Sequence, residues 1–155
     1  MGLWNKLKGA VSAVTGGAAT VELEVGEATL GSDVEFRIIA TAKADFEISG
    51  VYLLVRAIEE AEVRDVDYDF DDGGRRIEYV RGHHQSFDAR FEVADGQALS
   101  ADETYEWEGS FTIPDSENPS FDGEMISHTW QIQAGLDARG NDPDSGWLNF
   151  EVWDN

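Results

Sequence analysis

From Ala19 onward, apolar and polar residues alternate along most of the chain, and this period of two is the feature that most constrains the fold. Val21, Leu23 and Val25 are separated by glutamates, while residues 51–57 form a denser apolar run. A period of two indicates half-buried β-strands, and a continuous apolar run suits a strand buried on both faces. Nine such runs can be read, at residues 21–25, 36–40, 51–57, 66–70, 77–80, 87–93, 105–113, 129–136 and 147–153.

Short clusters of glycine, aspartate and asparagine separate these runs. The clearest lie at residues 31–33, 71–74 and 140–146. Such residues supply the backbone conformations that tight turns need, so consecutive strands are expected to pair as antiparallel neighbours. The predicted fold is therefore all-β, an antiparallel β-sandwich with immunoglobulin-like layering.

The first 17 residues follow a different pattern, because their apolar residues recur every three or four positions. Leu3, Leu7, Val11 and Val14 lie on one side of a helical wheel, and a glycine pair at residues 16–17 ends the pattern. We predict an amphipathic N-terminal helix over residues 1–17, followed by a sandwich domain over residues 18–155.

Two roles are open for this helix: packing on the sandwich, or contacting a partner or membrane. In the second role Trp4 would lie at headgroup depth with two lysines near anionic lipid, giving reversible, peripheral binding. The predicted contact residues are Leu3, Trp4, Lys6, Leu7, Lys8 and Val11.

The charge balance excludes one class of partner. With 32 acidic against 11 basic residues the net charge is −21, and such a surface repels nucleic-acid phosphates. Lysine occurs only at positions 6, 8 and 43, and an acid-rich, lysine-poor composition is typical of a salt-rich cytoplasm. We therefore expect a cytoplasmic protein from a halophilic prokaryote. The absence of cysteine excludes disulfides and thiolate metal sites.

The densest run of acids lies at residues 65–72 and suggests one alternative, a calcium site. Counting from Asp67 places acids at the first, third, fifth and twelfth positions of a calcium loop. However, Asp72 stands where such a loop needs glycine, so a solvated strand face is favoured. The residues of the calcium alternative are Asp67, Asp69, Asp71 and Glu78. Residues 141–146 also offer oxygen ligands, but their composition is that of a turn.

No catalytic motif is present. The three histidines, at positions 83, 84 and 128, form no metal-binding spacing, and the sequence contains no G-x-S-x-G, P-loop or dinucleotide-binding motif. We predict a protein that is not an enzyme and uses no cofactor.

One part of the sequence has a recognisable layout. A strand ends in F-x-I-P at residues 111–114, a loop reads P-S-F-x-G at residues 119–123, and the next strand reads I-x-x-x-W-x-I-x-A-x-L-D at residues 126–137. This layout resembles the arrestin-like fold, in which the proline would end a strand, the phenylalanine would plug one end of the sandwich and the tryptophan would enter the core. The motif residues are Pro114, Pro119, Phe121, Gly123 and Trp130.

The opening L-W-N-K-L-K at residues 3–8, leading into V-E-L-E at residues 21–24, resembles sporulation-control (Spo0M-type) proteins, an arrestin-like family. Members usually carry two lobes, and this length holds only the first, so a role in an interlobe cleft would require a homo-oligomer. The resemblance implies a non-catalytic adaptor that binds a protein partner or membrane-proximal target through a sheet edge or the loops at one end. A cation-binding sandwich is the alternative.

Overall fold

The computed structural model describes residues 11–68, 71 and 73–155, with side chains from residue 17. This part of the chain is built from strands and turns and contains no helix that could span a bilayer. The strands are β1 (Val11–Gly16), β2 (Ala19–Val25), β3 (Ala28–Thr29), β4 (Asp33–Ala42), β5 (Phe46–Tyr68), β6 (Arg75–Leu99), β7 (Thr104–Thr112), β8 (Phe121–Asp122), β9 (Ile126–Ala138), β10 (Leu148–Phe150) and β11 (Val152–Trp153).

Two antiparallel sheets form the sandwich. One has the order β1-β2-β4-β7, and the other has the order β10-β9-β5-β6 with β8 added to β9. A short parallel pair, β3 with β11, lies outside both sheets. The period of two correctly predicts the core, because alternate residues of β2, β5 and β9 are buried between the sheets. They include Val21, Leu23, Val25, Leu53, Val55, Trp130, Ile132 and Ala134. The all-β sandwich prediction is confirmed.

The predicted N-terminal helix is wrong over its second half. Residues Val11–Gly16 form strand β1, which pairs antiparallel with β2 from Val11 opposite Glu24 to Gly16 opposite Ala19. The β-branched side chains of this segment favour a strand, and pairing with β2 supplies backbone hydrogen bonds across the sheet. Gly17 has φ of +60° and makes a hairpin turn where the glycine pair was expected to end a helix. Residues 1–10 lie outside the described part.

A second difference concerns strand continuity, because four of the predicted strands are joined in the structure into two long strands. The runs at residues 51–57 and 66–70 belong to the 23-residue β5 up to Tyr68, and the runs at 77–80 and 87–93 belong to the 25-residue β6. The segments between these runs are polar but hold no proline and only one glycine, so nothing there ends a strand.

The long hairpin extends beyond the sandwich. Pairing of β5 with β9 stops at Ala61 opposite Ile126, whereas pairing with β6 continues to Tyr68 opposite Arg75. Residues 62–68 and 75–81 therefore form a two-stranded ribbon, which we call the arm. All its side chains are exposed except the half-buried Val66.

Candidate interaction surfaces

The predicted contact residues of the N-terminal segment lie mostly outside the described chain. Leu3, Trp4, Lys6, Leu7 and Lys8 belong to residues 1–10, and Val11 is the first residue of β1, where the structure describes the backbone alone. Their contact with a partner or membrane stays a prediction.

The structure shows how most of the motif from Pro114 to Trp130, which we call the proline–tryptophan motif, packs in the fold. Trp130 is fully buried, and its indole Nε1 donates a hydrogen bond to the carbonyl oxygen of Asn118 at 2.9 Å. The next carbonyl, of Pro119, accepts from Nδ1 of His128 at 2.9 Å. Side chains of β9 thus donate hydrogen bonds to two successive backbone carbonyls of the segment between β7 and β8, which we call the crossover. Pro114 lies just after β7 and the buried Ile113, as expected for a residue that ends a strand.

Phe121 does not plug the sandwich, so that expectation is wrong. It lies in β8 opposite His128 and is 57% exposed. A side chain at Gly123 would meet the Phe121 ring at 2.7 Å, which places the ring over this glycine rather than in the core. The end of the core is filled instead around Trp130, whose ring centre lies 5.1 Å from that of Phe87 and 6.4 Å from that of Phe150.

A serine and a histidine meet at this end of the sandwich. Ser86 Oγ lies 2.8 Å from Nε2 of His128, and His128 is 6% exposed. Because the Pro119 carbonyl can only accept, Nδ1 of His128 carries a proton; in the neutral ring Nε2 therefore accepts from the Ser86 hydroxyl. The pair ties β6, β9 and the crossover together. Throughout the described side chains, every buried nitrogen and oxygen has a hydrogen-bond partner.

The aspartate run is divided between one strand and the hairpin turn. In the register, Asp65 is opposite Glu78 and Asp67 is opposite Arg76, all on one face of the arm. Asp71 lies in the turn, and Asp69 falls outside the described residues. Among the residues that are described, no three acidic or histidine side chains are arranged to hold a metal. The calcium alternative gains no supporting geometry.

The loop at residues 139–146 is held by a buried tyrosine that no sequence motif marks. Tyr52 donates its hydroxyl to Oδ2 of Asp142 at 2.8 Å, and Oδ1 of Asp142 accepts from the backbone N–H of Ala138 at 3.0 Å. The Tyr52 ring lies across Gly135, its partner in β9, where a Cβ would collide with the ring. Burial and the Asp142 carboxylate raise the pKa of the Tyr52 phenol above its ordinary value. The turn prediction fits this role of Asp142.

The sheet of β5 ends at β6, whose outer side is unpaired in the described chain. Two register shifts interrupt its pairing with β5: Ala57 opposes Phe87 while Ile58 opposes Gln85, and Val51 opposes Ala94 while Tyr52 opposes Glu92. Ser86 and Val93 are therefore bulged residues. Between them, residues 87–92 form a regular six-residue edge.

Comparison with known proteins supports the fold. No protein-family model matches the sequence, and no curated protein matches it either. Among solved structures, the chain is similar to the crystal structure of Spo0M, a sporulation control protein from Bacillus subtilis, with a TM-score of 0.60 and 19% sequence identity. The match covers 88% of this chain but 50% of the Spo0M chain. At this identity the similarity shows the fold alone, and it confirms the predicted resemblance to Spo0M-type, arrestin-like proteins.

Proposed function

We propose that this domain is a non-catalytic, arrestin-like adaptor that binds an extended segment of a protein partner by strand addition at β6. The observation that carries the proposal is the regular edge at residues 87–92, which lies between two bulges. Six residues is about the length of an average β-strand, so the edge accommodates one bound peptide strand. Backbone hydrogen bonds would give affinity, and alternate side chains would give specificity.

The edge is rigidly supported, which favours binding over aggregation. Phe87 and Phe91 are half-buried and pack on the core, whereas Asp88, Arg90 and Glu92 point to the opposite, exposed side. Arg90 bonds Glu92 through Nε at 2.6 Å, and its guanidinium lies 4.1 Å above the Tyr52 ring. Charged side chains on an edge discourage indiscriminate sheet pairing and leave recognition to a complementary segment.

The non-catalytic part of the proposal rests on the sequence and on the Ser86–His128 pair. Each member of that pair has a structural partner: His128 holds the Pro119 carbonyl, and Ser86 Oγ also lies 3.4 Å from the carbonyl oxygen of Ala57. These contacts account for both side chains without any reaction. The predicted membrane-proximal location is proposed on the sequence of residues 1–10 alone.

Proline substitution at two neighbouring positions tests strand addition. Successive amides of β6 point alternately toward β5 and away from it, so Asp88→Pro and Ala89→Pro affect opposite sides. One variant loses a bond to β5 and is destabilised, because proline removes a ladder hydrogen bond. The other loses only an outward donor and serves as the informative variant.

The assay captures partners from a high-salt lysate with the immobilised full chain. We expect the outward-facing variant to keep the wild-type melting temperature and to lose the captured protein. Capture that persists with this variant would contradict binding at β6.

A further inference from the structure

The arm carries a second surface, formed by the even-numbered residues of β5 and the odd-numbered residues of β6 that lie opposite them. Three cross-strand pairs follow one another on it: Arg64 opposite Tyr79, Val66 opposite Ile77, and Tyr68 opposite Arg75. Directly opposite residues share one face of a ribbon, with Cβ atoms about 5 Å apart. An apolar pair is therefore flanked on each side by an arginine–tyrosine pair.

This face has a local two-fold symmetry of residue types. A rotation that exchanges the antiparallel strands about the Val66–Ile77 pair brings Arg64 onto Arg75 and Tyr68 onto Tyr79. Tyr68, Tyr79 and Ile77 are 66%, 60% and 42% exposed. Large exposed side chains grouped in this way are typical of an interaction surface.

The three pairs carry positive charge and no acid. Asp65, Asp67 and Glu78 lie on the reverse face, and the three pairs contain no acid. Neither Arg64 nor Arg75 forms an ion pair with a residue that the structure describes, whereas Arg81, nearer the sandwich, lies 3.4 Å from Glu62. In a chain of net charge −21, three neighbouring pairs with two such arginines and no acid stand out, and the acid next along this face, Glu62, is paired with Arg81.

We propose that this face binds a short acidic segment of a protein partner, with carboxylates on Arg64 and Arg75 and an apolar side chain over Val66 and Ile77. Guanidinium groups bind carboxylates in a bidentate manner, and tyrosines beside them add contact area. The site uses side chains at the end of the arm, so it is independent of strand addition at β6.

The small size of the face and the negative charge of the chain favour a short peptide segment over a second copy of the chain or a membrane. Residues 64–68 span about 13 Å of strand, and two strands make a face on the order of 150 Å², far below the ~800 Å² per partner of a stable protein interface. A second copy would also bring another −21 charges. An anionic bilayer would present many negative charges to this acidic chain, whereas a short segment presents only the two carboxylates that Arg64 and Arg75 neutralise.

The geometry also predicts the spacing within the acidic segment. Arg64 lies at the level of Tyr79 and Arg75 at the level of Tyr68, so the two arginines are four strand positions apart. An extended peptide with glutamates at positions i and i+4 and leucine at i+2 presents all three side chains to one face. The pattern Glu-x-Leu-x-Glu therefore fits the spacing of the two arginines, whereas glutamates at i and i+3 would point to opposite sides of the peptide.

The test is fluorescence anisotropy with the full chain and a labelled, end-capped peptide Thr-Glu-Thr-Leu-Thr-Glu-Thr. We expect saturable binding that is at least about tenfold weaker in the double variant Arg64→Gln with Arg75→Gln, because two charge-assisted contacts are lost. The matched control is Arg76→Gln on the reverse face, which should leave affinity unchanged. A peptide with glutamine for glutamate, and one with i, i+3 spacing, should bind at least about tenfold more weakly.

The following results would contradict the proposal. Equal affinity in wild type and the double variant, or equal loss in Arg76→Gln, would overturn it. So would phosphatidylserine vesicles that bind the chain through the same two arginines without peptide binding, or self-association that the double variant abolishes. The β6 proline variant that keeps the fold should still bind the peptide, so failure of strand addition is distinguishable from failure of this site.

Discussion

Replacing Tyr52 with phenylalanine tests whether this one side chain holds the loop at residues 139–146. The change removes the hydroxyl that bonds Asp142 at 2.8 Å and leaves the ring packed over Gly135. Hydrogen bonds to charged groups contribute about 1.5–3 kcal/mol, and Asp142 is half-exposed, so we expect a loss of about 1.5 kcal/mol.

The assay is urea unfolding in molar potassium chloride, followed by tryptophan fluorescence. With a urea m-value of about 2 kcal/mol/M for a chain of this size, the midpoint should fall by about 0.7 M at unchanged m. Tyr79→Phe, at an exposed tyrosine of the arm, is the matched control and should shift the midpoint by less than about 0.2 M.

A double-mutant cycle with Gly135→Ala sharpens the test. The new Cβ would collide with the Tyr52 ring, so the ring must move and its hydroxyl must leave Asp142. In that background Tyr52→Phe should cost almost nothing. Equal losses in both backgrounds, or no loss in the wild-type background, would refute the assigned role of Tyr52.

Four other predictions follow from the described contacts. Because the Tyr52 phenol has a raised pKa in the fold, its contribution to the stability of the fold is complete below about pH 10 and is lost as the pH rises further. In urea unfolding at increasing alkaline pH, the free energy of unfolding of Tyr52→Phe should therefore fall less steeply than that of the wild type. Ser86→Ala removes the hydroxyl donor to Nε2 of His128 and should cost about 1–3 kcal/mol in urea unfolding, whereas Ser127→Ala, at a half-buried position of β9, should cost less. Raising potassium chloride from low to molar concentration should raise the melting temperature substantially, because salt screens the repulsion within a chain of charge −21; a flat response would remove the halophilic interpretation. Deleting residues 1–16 should lower the melting temperature, because β2 then loses its partner β1.

The sequence predicts elements well where burial alternates strictly. In β2 and β9 each apolar residue has one buried side, so the alternation alone assigns Val21, Leu23 and Trp130 to the core. The proline–tryptophan motif likewise indicates the correct strand end and core residue.

Local periodicity misleads where strand pairing decides the conformation. Val11 and Val14 fit a helical wheel, but they also have high β-propensity, and the neighbouring β2 edge supplies a partner that no local pattern reveals. The runs at residues 66–70 and 77–80 predict parts of the arm, but its continuity with β5 and β6 is not predicted, because the solvated residues that join these runs to the sandwich strands have no hydrophobic alternation.

The side-chain pairs are beyond sequence reasoning for a different reason. Tyr52 and Asp142 are 90 residues apart, and Ser86 and His128 are 42 apart. Their meeting depends on the order of strands in the sheet, which local propensity does not specify.

The most direct test of the central claim is hydrogen–deuterium exchange across β6, measured on the full chain with and without a captured partner. In the free chain the outward amides of residues 87–92 should exchange rapidly while those bonded to β5 stay protected. Partner binding should slow exchange of the outward amides alone. Unchanged exchange at residues 87–92 in the complex, with new protection on another strand or loop, would contradict the proposed site.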